Sequence, residues 1–229
     1  MTQPSWPPLE SNPNVLTTFA RELGLPKEYQ ITDVFSLDLL MMIPHPCHAV
    51  ILLYPITEKN KELKKIQQET SREFVFPKSL YYMKQTIRNA CGTIGVLHAV
   101  LNNIEELGVK GWFKKFYEQT IEMDPETRGH TLEKDKEMIE KHEEHSEKGQ
   151  TDQMDPEEST EYHFVTFVCK NNNLIQCDGR KETPVFCGET SPETLLEDAS
   201  LYIKEQYLKR DPENLMFSFM ALTHVPEED

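Results

Sequence analysis

Two asparagines between two apolar runs constrain this chain more than any other feature. His163-Phe164-Val165-Thr166-Phe167-Val168-Cys169-Lys170 is rich in β-branched and aromatic residues. Asn171-Asn172 follows, and Asn173-Leu174-Ile175-Gln176-Cys177-Asp178 resumes the pattern. Asparagine tolerates the positive φ that both central positions of a type I′ turn demand, so the spacing predicts a tight β-hairpin. That turn fixes the register: facing residues have numbers summing to 343, and Asp178 opposes Val165. Val165 and His163 are two apart and share a face, which places Asp178 diagonal to His163. Diagonal neighbours lie roughly 7 Å apart at Cβ, within reach of a carboxylate and an imidazole. A three-residue turn would put the two on opposite faces. The same spacing also suits a hairpin with no chemistry at all.

A His–Asp couple activates a nucleophile, and Cys91 is the candidate. It opens the stretch Cys91 to Asn103, where Ile94, Leu97 and Leu101 recur at helical spacing. A thiol at a helix N-terminus feels the positive end of the dipole and unpaired backbone N–H groups, which favour thiolate. Gly92 permits close approach by another segment. Gln85 offers an amide that, with the Cys91 backbone N–H, would stabilise an oxyanion. A small buried cysteine that merely starts a helix is the other reading. Taken together the residues suggest a triad of Cys91 nucleophile, His163 base and Asp178 orienter.

The other histidines compete poorly. His98 shares a helix with Cys91, and seven residues at about 1.5 Å rise is roughly 10 Å, too far for a hydrogen bond. It reads as a packed, structural histidine. His142 and His145 are spaced i, i+3 rather than the i, i+4 of zinc proteases and read as solvated helix surface. His45, Cys47 and His48 lack a second ligand pair, and His130 and His224 read as bland. No metal and no cofactor is expected.

Around this constellation the elements alternate. Asn12 as cap, Pro13 at the first position, the stripe Val15, Leu16, Phe19, Leu23 and a closing Gly24 predict a first helix. Ala49 to Ile56 is a buried strand. Helices are expected over 57–72, 111–122, 126–144 and from a Ser191 cap to Arg210, with a last strand over 215–222. The class is α/β or α+β, in one domain spanning 1–229.

Charge narrows the partners. With 24 Lys+Arg against 39 Asp+Glu the chain carries −15, which argues against nucleic acid and anionic membranes. No apolar run approaches the roughly 18–20 residues that span a bilayer. Five cysteines, an odd number without Cys-x-x-Cys, and an N-terminus without signal-peptide character suggest a reduced, intracellular protein. Residues 122–161 hold 15 acidic and 5 basic side chains, and 145–161 reads as a solvated, mobile loop. An acidic surround there would attract a partner with a basic face.

Gln85 through His98, QTIRNACGTIGVLH, resembles the nucleophile signature of the ubiquitin C-terminal hydrolases, papain-like cysteine deubiquitinases. Trp6 to Pro13, His163-Phe164, Asp178-Gly179-Arg180-Lys181, Gly188 to Ser191 and Thr194 to Ala199 resemble that family in the same order. The resemblance implies an α/β papain-like fold, a central antiparallel sheet flanked by helices, with a knotted chain. It implies Cys91, His163, Asp178 and Gln85 in the roles assigned above. It implies a crossover loop over the active site at Ser146, Glu147, Lys148, Gly149, Gln150, Thr151, Asp152 and Gln153. Ubiquitin contacts are implied at Pro8, Leu9, Glu10, Ser11, Asn12, Pro13, Asn214, Met216 and Ser218. Relatives often carry Arg where this chain has Met216, and an aliphatic–Tyr–Glu–Leu run where it has Ile175-Gln176-Cys177.

The resemblance implies a monomeric deubiquitinating thiol protease, cytoplasmic and also nuclear. It would remove small adducts or short extensions from the C-terminal glycine of ubiquitin, or of a related modifier, through an acyl-enzyme. A module that mainly holds ubiquitin with slow turnover stays open, as does another Cys–His–Asp enzyme of the transglutaminase or acyltransferase kind.

Overall fold

The computed structural model describes residues 4–36, 39–149, 158 and 160–225. Six antiparallel strands form one sheet: β1 (Tyr29–Asp33), β2 (Cys47–Pro55), β3 (Tyr162–Lys170), β4 (Asn173–Cys177), β5 (Val185–Glu189) and β6 (Ser218–His224). Their spatial order is β1-β6-β2-β3-β4-β5, so the last strand inserts between the first two. The described residues also form seven α-helices: α1 (Pro13–Glu22), α2 (Glu58–Thr70), α3 (Cys91–Leu101), α4 (Gly111–Thr120), α5 (Pro125–Leu132), α6 (Lys136–Ser146) and α7 (Leu195–Ile203). Among the described residues no helix is long and apolar enough to cross a membrane.

Successive residues of β2 point to opposite sides and both sides are covered. Ala49 and Ile51 join a core with Phe19, Val96, Leu97 and Phe113, while Val50 and Leu52 join another with Leu63, Phe167, Leu196 and Ile203. This double cover is why β2 reads as an unbroken apolar run rather than an alternating one. All eleven residues of α3 are buried, which makes it the central helix of the first core.

The hairpin forms as the asparagine pair requires. Asn171 and Asn172 adopt φ of 50° and 59°, and Lys170–Asn173 through Thr166–Cys177 pair in the expected register. Helix α1 starts with Asn12 capping Asn14 and Val15 and Pro13 in the first turn. Gly24 follows its end at φ 118°, where a Cβ would strike the Lys110 carbonyl.

Other expectations shift. The stretch 126–144 is two helices, because Asp135 accepts from the Met138 N–H and caps a new start at Lys136. Residues Ser191 to Thr194 form a turn, closed by the Thr194 N–H on the Ser191 carbonyl, so α7 begins at Leu195 rather than Pro192. After Ile203 the chain continues as one π-helical turn, Lys204–Leu208. The last strand starts at Ser218, since the Asn214 side chain accepts from the Met216 N–H and holds a turn there. Ser146 is the last residue of α6 and is buried, so it belongs to a helix rather than to a loop. Gln150 to Gln153 of the expected crossover loop lie outside the described residues.

Candidate active site

Cys91 sits at the first turn of α3. The N-cap, Ala90, supplies no side-chain hydrogen bond, so the helix N–H groups have no capping side chain there. Asn89, at φ 62°, turns the chain into the helix, and its amide donates to the Glu158 carbonyl at 2.8 Å. The thiol residue is 4% exposed. Gly92 faces Leu9 and Phe164, with Leu9 Cβ 3.1 Å from where a methyl group would stand. The N-terminal segment therefore runs directly over the start of α3.

His163 comes from β3 and Asp178 from the residue just past β4. The ring Nε2 lies 2.6 Å from Asp178 Oδ1, with both side chains buried. A carboxylate accepts, so Nε2 carries the hydrogen and Nδ1 is the nitrogen left for a thiol. Nδ1 makes no hydrogen bond of ordinary geometry among the described residues, yet the ring is close enough to couple to Cys91. Tyr54 stands edge-on to the same ring, with centroids 5.8 Å apart.

The charges follow from these contacts. Burial pushes the Cys91 thiol up, but the neighbouring His163, the Arg180 cation and the Phe164 backbone outweigh it, and the net shift is downward. Burial likewise pushes His163 down, and the Asp178 carboxylate and Cys91 reverse it, leaving the imidazole above its ordinary value. Burial raises Asp178, and His163, Lys181 and Lys64 more than reverse it, holding the carboxyl well below its usual range. Cys91 therefore favours thiolate and His163 imidazolium.

Gln85 is pinned to the same loop, for its N–H donates to the Gly179 carbonyl at 2.8 Å. Its side-chain amide donates to the Ile87 carbonyl at 2.9 Å, which occupies one of its two N–H groups. Asp178 is further fixed by the Arg180 N–H at 2.9 Å on Oδ1, and the Tyr82 hydroxyl lies 2.6 Å from the Asp178 carbonyl.

A cleft of about 930 Å³ opens on Cys91. Pro8, Leu9, Glu10, Ser11, Ser146, Met216 and Ser218 line it. Ser11 Oγ donates to Ser218 Oγ at 2.9 Å, which joins the N-terminal segment to β6 on one wall. Asn12 and Pro13 instead start α1, and Asn214 borders a neighbouring pocket. Glu147 caps α6, Lys148 pairs with Glu144 at 2.7 Å, and Gly149 lies against Glu10.

Two histidines need correction. His142 and His145 are fully buried rather than solvated. His142 Nδ1 is 2.7 Å from Thr93 Oγ1 and its Nε2 is 2.6 Å from the Pro7 carbonyl, so α6 is fastened to α3 through it. Glu143 and Glu144 between them face outward and mask a buried stripe. His98 is packed as expected, accepting from the Met83 N–H at 3.1 Å and stacked on Tyr82.

A helix-start thiol, coupled to an imidazole that a buried carboxylate holds, is the arrangement of cysteine hydrolases. The profile of the ubiquitin carboxyl-terminal hydrolases, family 1, matches residues 6–208. The chain is 40% identical over 223 residues to a Drosophila melanogaster ubiquitin carboxyl-terminal hydrolase, covering 96% of this chain and 97% of that one. It is 35% identical to the Homo sapiens isozyme L1, covering 94% and 96%. Its fold matches the Trichinella spiralis UCH37 catalytic domain, solved with ubiquitin vinyl methyl ester, with a TM-score of 0.77 over 96% of each chain at 24% identity. The chain belongs to the ubiquitin carboxyl-terminal hydrolase family and is a thiol-dependent hydrolase.

Proposed function

We propose that this protein hydrolyses the bond after the C-terminal glycine of ubiquitin, using Cys91 as nucleophile. The Cys91 thiolate attacks the glycine carbonyl carbon. The tetrahedral oxyanion accepts from the free Gln85 amide N–H and the Cys91 backbone N–H. As the carbon–nitrogen bond breaks, the His163 imidazolium gives its proton to the leaving amine. Water, deprotonated by the now neutral His163, then attacks the thioester and frees ubiquitin and the thiol. Asp178 holds the ring and stabilises its cationic form throughout.

The observation that carries this reading is the buried His163–Asp178 contact of 2.6 Å beside a thiol at the start of α3, in a chain of this family. Small adducts and short extensions are the substrates that suit a cleft bordered by Ser11, Ser146 and Met216. A monomer working in the cytoplasm and nucleus goes with the reading, and sedimentation and cell fractionation test both parts.

The central test treats wild type and Cys91→Ala with ubiquitin bearing a C-terminal electrophile. A covalent adduct on wild type alone is expected. Tight binding with no adduct would instead identify a protein that holds ubiquitin without turning it over.

A further inference from the structure

We propose that Arg180 forms a carboxylate-binding subsite for the leaving group, in a second pocket that adjoins the Cys91 cleft. The inference rests on the ubiquitin-hydrolase reading and adds to it the chemistry of what departs. The second pocket, of about 870 Å³, is lined by Gln85, Arg88, Glu161, Arg180 and Asn214 among others. Thr160, Glu161, Tyr162 and Met216 border this pocket and the Cys91 cleft alike, so the two cavities adjoin. Cys91 and the N-terminal segment lie in one, Gln85 in the other. A carbonyl held between the thiol and the Gln85 amide thus has its acyl chain in the first cavity and its leaving group in the second.

The second cavity is cationic: Arg88 and Arg180 face a single acid, Glu161. Arg88 is engaged by a neighbour, which leaves Arg180 to meet a ligand. Arg180 is half-buried and forms no ion pair among the described residues. Its backbone is rigid and indexed to the catalytic machinery. The N–H donates to Asp178 Oδ1 at 2.9 Å, and Lys64 Nζ donates to the Arg180 carbonyl at 2.9 Å. Its positive charge also favours the Cys91 thiolate. A guanidinium receives a carboxylate through two parallel hydrogen bonds. When a single residue is cleaved from ubiquitin, its α-carboxylate lies directly beyond the scissile nitrogen. That carboxylate fits this position.

The experiment compares two ubiquitins extended by one alanine, one ending in a carboxylate and the other in a carboxamide. Wild type is expected to cleave the carboxylate form about three- to tenfold more efficiently, the size of one net hydrogen bond. Arg180→Gln should abolish the preference and Arg180→Lys keep part of it. Arg180→Gln also removes a cation that favours the thiolate. That lowers both rates together, so the ratio is the readout. Equal rates in wild type, or a preference that survives Arg180→Gln, overturns the subsite alone. Cleavage of neither substrate overturns the ubiquitin reading and the subsite with it.

Discussion

The imidazole of His142 stands 2.7 Å from the hydroxyl of Thr93 and ties α6, which ends at Ser146, to the helix that carries Cys91. Because Nε2 faces the Pro7 carbonyl at 2.6 Å it must donate, so Nδ1 accepts from Thr93. His142→Leu keeps the bulk but leaves a buried hydroxyl without its acceptor, at a cost of about 1–3 kcal/mol. Thr93→Val in the same background should then cost less than it does alone, a coupling of about 1 kcal/mol in urea unfolding. Strict additivity would show that the contact contributes nothing.

Acid should weaken the fold through His98 and His142. Burial pushes both down to about 4 from an ordinary value of 6.5. Above pH 6.5 each is neutral folded and unfolded and has no effect. Between 6.5 and 4 the unfolded chain takes up protons that the folded one refuses, so stability falls by about 3 kcal/mol per histidine. His163 is raised, so its contribution is complete below 6.5 and is lost only as pH rises through its folded value. Asp178 is depressed, so its contribution is lost below the ordinary carboxylate range. Neither acts in this window. Guanidinium midpoints measured from pH 7 to 4 should slope less steeply in His98→Gln, whatever its starting stability. An unchanged slope would count against the buried neutral state.

The activity profile follows from the same signs. A depressed Cys91 places the acid limb below the ordinary thiol value of 9.0, and a raised His163 places the alkaline limb above 6.5. Asp178→Asn removes the negative charge that holds the imidazole up. The alkaline limb should move to lower pH and the rate fall by about 10²-fold or more. Iodoacetamide trapping of Cys91 reads the thiolate directly, and its pH midpoint should rise in His163→Ala. A midpoint indifferent to His163 would separate the two groups.

Much of this site was legible because it depends on local spacing. Asn171-Asn172 dictates a two-residue turn, the turn dictates the register, and the register sets Asp178 beside His163. The start of α3 at Cys91 was readable from the apolar period that follows it. What escaped depends on distant partners. β1 and β5 have five residues each, too short for the alternation of Tyr29-Gln30-Ile31-Thr32 or the run Val185-Phe186-Cys187 to stand out, and their pairing with β6 and β4 makes them strands. Met138, His142 and His145 fall at i, i+4, i+7, the stripe of a buried face, but two histidines among glutamates and lysines disguise it. Lys181 is 1% exposed because its ammonium meets Gln67 from α2, a contact no local pattern announces. Arg180 likewise takes its place from two adjoining cavities, which spacing along the chain does not show.

Gly179 offers a test of Gln85 that removes no polar group. A methyl group there would sit 3.0 Å from the Gln85 N and Cβ and 3.0 Å from Ile94 Cγ2. These contacts are tighter than side chains tolerate, so Gln85 must move by a few tenths of an ångström. Its N–H already binds the Gly179 carbonyl, hence the two shift together. If the Gln85 amide stabilises the oxyanion, that displacement weakens an interaction made only in the transition state, since oxyanion donors act through position. Gly179→Ala should lower kcat by about three- to tenfold with KM nearly constant, as expected for loss of transition-state stabilisation alone. Thermal unfolding run alongside reports the packing cost. Full kcat in Gly179→Ala together with full kcat in Gln85→Ala would mean that Gln85 has no part in the chemistry.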